Sequence, residues 1–179
     1  MAEEKKEPWL NYLALTTVIL AVCATLATFK GGSYSTRSVM SQALAANQWA
    51  YYQAKSLKGY LYEIQKEALE LDVQLKENGE TPAKTDAHKA KIDSYAKRIA
   101  KYESEKAEIT KEAKQYEAVR DDAQTHAQAF GVAVIFLQIA ILLSSVAALL
   151  RKKAVWYLGL AIGAAGVVYF ANGFLLFIS

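Results

Sequence analysis

Residues 40–75 read MSQALAANQWAYYQAKSLKGYLYEIQKEALELDVQL, and small or aliphatic residues return along them at alternating steps of three and four. In order these are Met40, Ala43, Asn47, Ala50, Ala54, Leu57, Leu61, Ile64, Ala68, Leu71 and Leu75. Five unbroken heptads of this kind are the pattern of a helix that buries a narrow seam against other helices. The composition changes along the seam. Met40 to Ala54 is small and includes a polar Asn47, whereas Leu57 to Leu75 is a mixture of Leu, Ile and Ala. Small residues allow close helix approach, and an Asn in an a-like position fixes register at a cost in stability. Trp49, Tyr51 and Tyr52, with Tyr60 and Tyr62 further on, stand beside the seam, either as amphipathic cover for a helical pair or as contacts between subunits.

Working outward, Glu77 to Asp86 holds the clearest turn chemistry in the chain. Gly79 can end a helix, Pro82 cannot continue one, and Thr85 or Asp86 can cap the next. Beyond this tip the three-four spacing resumes through Ile92, Tyr95, Ile99, Tyr102, Ile109, Ala113, Tyr116, Ala123, Ala127 and Phe130, with Lys106 and Arg120 at interrupted places. Two arms, 35–76 and 87–128, joined by a tip at 77–86, make an antiparallel helical hairpin the economical reading.

Three further runs are apolar and long enough to cross a bilayer, which takes roughly 20 helical residues. They lie at 9–29, 129–150 and 155–178, and from Trp9 to Phe29, Phe130 to Leu150 and Val155 to Ile178 there is no Asp, Glu, Lys, Arg or His. Residues 1–8 form an amino-terminal tail, 30–128 the extramembrane hairpin and 151–154 a basic turn. Trp9 and Tyr12 suit the headgroup region. The first run is longer than a signal-peptide h-region and is read as a retained anchor, with Cys23 as ordinary apolar packing. Lys30, Gly31 and Gly32 are expected to interrupt the helix, with Ser33, Ser35 and Thr36 as candidate caps for the next. In the third run, Gly159, Gly163 and Gly166 place small residues for close helix contact in lipid. Gln138 and Asn172 are the intramembrane amides, expected as interhelical hydrogen-bond partners.

The chain has a formal net charge of +3. Residues 33–128 carry fifteen Lys or Arg against fifteen Asp or Glu, so the excess sits at the membrane edges, above all in Arg151, Lys152 and Lys153. A nucleic-acid footprint needs a basic face with a net excess of charge, which is missing. One cysteine excludes an intrachain disulfide and a multi-cysteine metal site. His88 and His126 lie thirty-eight residues apart on one helix, so no histidine-based metal site or triad has supporting spacing. No phosphate-cradling glycine loop or nucleophile elbow is present. The expectation is a non-enzyme without cofactor or metal.

Trp9 to Leu15 followed by Lys30 to Lys58, particularly Ser35, Thr36, Arg37, Gln42, Ala43, Asn47, Trp49, Tyr52 and Lys55, resembles the bacterial membrane family labelled domain of unknown function forty-three thirty-seven. The resemblance implies an inner-membrane protein with three spans and a coiled-coil insert, and it supplies no activity. Taken together, the residues lead to an all-α membrane protein that is a structural scaffold. It is expected to self-associate, a ring or cage being one form of such an assembly, through Asn47, Trp49, Tyr51, Tyr52, Tyr95, Tyr102 and Tyr116 in the hairpin and Gly159, Gly163 and Gly166 in the membrane. Its partners are the lipid bilayer and further copies of itself. The competing readings are a pore or transport component lined by Gln138 or Asn172, and an accessory subunit of another membrane protein. The basic turn marks the cytoplasmic side, which puts the amino end inside and the hairpin outside.

Overall fold

The computed structural model describes residues 8–76 and 82–177. Among them lie three helices and no strand: α1 (Pro8–Lys76), α2 (Pro82–Leu150) and α3 (Lys153–Leu175). Each contains a stretch long and apolar enough to cross a membrane. The tail Met1 to Glu7, the tip residues Glu77 to Thr81 and the end of the third run at Ile178 lie outside the described residues. Pro82, expected in the turn, instead opens α2, where its missing N–H and fixed φ are tolerated.

The expected break at Lys30, Gly31 and Gly32 is absent, because α1 passes through these residues without interruption. No glycine among the described residues has a positive φ. Gly31 serves close approach: a Cβ there would stand 3.0 Å from Phe130 Cβ of α2. The proposed caps are likewise spent inside the helix, Thr36 Oγ1 donating to the Gly32 carbonyl at 3.0 Å.

The chain divides into two compact units, one from Met1–Met40 with Val119–Ser179, the other from Ser41–Ala118. The first unit packs the apolar parts of all three helices in layers. Trp9 and Leu13 of α1 meet Ala147 and Trp156; Leu20 and Ala24 meet Leu137 and Ala140; Ala27 meets Phe130 and Ala133. Cys23 lies against the middle layer as a half-buried free thiol. The recurrent alanines let helix backbones come close.

The connection from α2 to α3 is shorter than expected, Arg151 and Lys152 only. Arg151 takes φ 51°, the left-handed region, and the Lys152 N–H donates to the Ala147 carbonyl at 3.2 Å. So tight a turn sends α3 back along α2, and the glycines of α3 then face it. A Cβ at Gly166 would come within 2.9 Å of Leu137, and one at Gly173 within 2.6 Å of the Phe130 ring.

Candidate interaction surfaces

Phe130 is the hub of the first unit. It is fully buried, and its ring meets Phe174 edge-on at 4.9 Å, Phe170 at 6.0 Å and Tyr34 at 6.0 Å. One helical turn earlier, His126 stacks on Tyr34 at 4.5 Å and places Nδ1 2.8 Å from the Gly173 carbonyl oxygen. That carbonyl belongs to the last turn of α3, where main-chain acceptors have no helical partner. His126 therefore fastens the end of α3 to α2. Periodicity singled out Phe130 but not this link, whose signal is a histidine four residues before an aromatic heptad position.

Gly159, Gly163 and Gly166 are all buried, and their neighbours are the chain's own helices. Gly159 lies against Ala140 and Leu143, Gly163 against Leu20 of α1 and Ala140 of α2, and Gly166 against Leu137. Of the amides in the apolar runs, Asn172 is buried and its main-chain carbonyl accepts from the Leu176 N–H at 2.8 Å, while Gln138 is exposed on the outer surface of the unit. Beside the hub, Gly31, Gly32, Ser35, Gln124 and Gln128 border an open groove of about 630 Å³.

The second unit sorts its residues in an unexpected way. Trp49, Tyr52, Tyr95, Tyr102 and Tyr116, candidates for contact between subunits, are all half-buried within it. Trp49 Nε1–H donates to Glu117 Oε1 at 2.8 Å, and its ring meets Tyr52 edge-on at 5.7 Å. Tyr62 sits between Tyr95 at 5.4 Å and Tyr102 at 5.9 Å, and its hydroxyl accepts from Arg98 at 2.7 Å. Gln48 donates to Glu112 at 2.9 Å. Where small residues are needed, Ala45 of α1 and Ala113 of α2 are buried. Amphipathic rings and long stems suit this face because Trp49, Tyr62 and Lys55 keep their polar ends paired while their apolar parts are covered.

Lys55 occupies the middle of this face. Its ammonium donates to Glu105 Oε2 at 2.6 Å, and stands 5.1 Å from the Tyr51 ring centroid and 5.4 Å from that of Tyr102. The Glu105 hydrogen bond raises the Lys55 pKa above its usual value, and the same bond from Lys55 holds the Glu105 carboxyl low. Glu105 therefore stabilises the unit above the ordinary carboxyl pKa of about 4.3, and this is lost as pH falls through its lower folded value. Lys55 stabilises it below the ordinary ammonium pKa of about 10.4, and this is lost as pH rises through its higher folded value. The expected profile of thermal midpoint against pH is level between those limits and falls outside both. Lys55→Met should weaken both falls, as read by far-UV circular dichroism.

The aliphatic seam faces the other way. Leu57, Leu61, Ile64, Leu71 and Leu75 are 52–75% exposed, and Ala43, Asn47, Ala50, Ala54 and Ala68 are exposed with them. Tyr51 is half exposed at the edge of this stripe. So α1 carries two stripes of three-four spacing, and the mixed polar and aromatic one lies against α2. On α2 the expected face does turn inward: Ile109 and Ala113 are buried, and Ile92, Tyr95, Ile99, Tyr102 and Tyr116 are half-buried.

Among the described residues no three His, Cys, Asp or Glu side chains gather as metal ligands. What the surfaces define is an all-helical protein with three helices fit to span a membrane and one long apolar stripe exposed outside those spans. The family model described as Domain of unknown function (DUF4337) matches residues 9–176, and the chain belongs to that family. No curated protein and no solved structure matches it.

Proposed function

We propose that this chain is a non-enzymatic scaffold of the bacterial inner membrane, anchored by three spans and self-associating through an antiparallel helical hairpin outside them. The observation that carries this reading is the aliphatic stripe of α1, exposed in a segment too charged overall to be covered by lipid. Monomeric soluble surfaces rarely leave so long an apolar stripe bare. The pairing order supports the hairpin, since partners fall along α2 from Glu117 to Glu105 to Arg98 as they rise along α1 from Trp49 to Lys55 to Tyr62. Mass measurement of the full chain in lipid nanodiscs tests the reading. A multiple of the protomer mass is expected, and protomers alone at every concentration would overturn it.

Arg151 and Lys152 in the connection and Lys153 at the start of α3 support a cytoplasmic position for this turn, by the excess of positive charge in a short loop. The hairpin is then extracytoplasmic. An Ala87→Cys substitution in a Cys23→Ser background is expected to react with an impermeant thiol reagent in intact cells. Reaction only after permeabilisation would place the hairpin in the cytoplasm.

A further inference from the structure

Among the described residues of the second unit, every large exposed hydrophobic side chain belongs to α1: Leu44, Tyr51, Leu57, Tyr60, Leu61, Ile64, Leu71 and Leu75. The outward side of α2 there presents Lys89, Lys91, Lys97, Lys101, Glu108 and Lys111 instead. An apolar stripe in one place only cannot be matched head-to-tail by a different patch of the next copy. It can be matched by the same stripe of another copy, and for a pair of copies that places a two-fold axis between them. The spacing adds the shape of the occupant. An unbroken alternation of three and four from Ala43 to Leu75 is read by another helix lying nearly parallel to α1, because only a supercoiled helix keeps such a seam in contact over many turns.

Resting on the membrane-anchored reading above, we infer that the α1 stripes of two copies pair in parallel and in register about a two-fold axis, with Asn47 facing Asn47 of the second copy. Both copies enter α1 from the same side of the same bilayer, which excludes the opposite polarity. In this pairing Asn47, Ala54, Leu61, Ala68 and Leu75 take the a positions, and Ala43, Ala50, Leu57, Ile64 and Leu71 the d positions. Alanines around Asn47 allow the two backbones to approach where the amides must reach each other. A buried amide at a single a position satisfies its hydrogen bonds only in the matched register, so Asn47 sets alignment and copy number. Most flanking positions are uncharged, among them Leu44, Ala46, Tyr51, Gln53 and Tyr60, so pairing depends little on salt.

Single cysteines at Ala54, Leu61, Ala68 and, as a control, Lys97 test this in a Cys23→Ser background, in native membranes under mild oxidation. All four positions are exposed, so the substitutions leave the internal packing of the chain intact. The expected result is a shift to a disulfide-linked dimer for Ala54→Cys, Leu61→Cys and Ala68→Cys, with Lys97→Cys remaining monomeric. Cross-linking at Lys97 but not at the a positions, in protein whose mass is that of an assembly, would overturn this pairing and leave self-association standing. Absence of cross-links together with a protomer mass would overturn both. Asn47→Leu is expected to retain cross-linking at Leu61→Cys while adding species larger than the dimer; an unchanged mass distribution would remove Asn47 from its assigned role.

Discussion

The double substitution Leu61→Glu with Ile64→Glu is expected to release the assembly into protomers while leaving its helix content unchanged. Both side chains are more than half exposed in the single chain, 52% and 63%, so the second unit loses almost no internal packing when they go. Their cost falls on association. Covering an aliphatic side chain of this size contributes about 1.5 kcal/mol at the low end, and a two-fold pair loses four of them, about 6 kcal/mol in all. That weakens association by roughly ten-thousandfold before the added carboxylates repel each other. The inner face gives the opposite response. Trp49→Ala, which removes the hydrogen bond to Glu117 and the contact with Tyr52, should lower the thermal midpoint of the second unit and leave the copy number as it was. Mass photometry and circular dichroism on the same samples separate the two effects.

Phe130→Ala should be the most damaging single change in the three-helix unit. The ring is fully buried, contacts Phe170, Phe174 and Tyr34, and fills the space opened by Gly31 and Gly173. Truncating a core Phe costs about 3–5 kcal/mol. A value near 3 kcal/mol is expected here, because lipid, unlike water, solvates an aromatic ring in the separated helices. Gly31 and Gly173, which border the ring, carry no side chain that could swing into the hole it leaves. Denaturation in mixed micelles, followed by tryptophan fluorescence from Trp9 and Trp156, measures it. These rings lie 6.1 Å apart and report the docking of α3 on α1.

How far the fold could be read in advance depends on whether a residue's meaning is local. The apolar lengths of the three helices were legible, since a run free of charge has few other uses. The inward face of α2 was legible too, because Ile109 and Ala113 recur on one stripe with no rival. Gly31 and Gly32 were not. Paired glycines after a lysine have the chemistry of a break, and the use of one of them lies ninety-nine positions away, where Phe130 takes the space a Cβ at Gly31 would fill. The orientation of α1 was hidden for a different reason. Periodicity identifies a stripe without naming its partner, and α1 has two stripes. The aliphatic one looks like the interior by hydropathy. The mixed one lies inside because Trp49, Lys55 and Tyr62 each find a counterpart on α2, so their polar ends are not stranded. The glycines of α3 lie against helices of the same chain, and spacing alone could not tell such a neighbour from a helix in another copy.

The most direct test is a distance across the assembled protein in a bilayer. Nitroxide labels are placed at Leu61→Cys and, in a second sample, at Lys97→Cys, both in a Cys23→Ser background, and the dipolar coupling between copies is recorded. The expected result is one narrow, short distance at position 61, compatible with helix axes about 8–10 Å apart, and a longer one at position 97. A distance at position 97 shorter than that at position 61 would contradict the assignment of the α1 stripe as the surface that joins the copies.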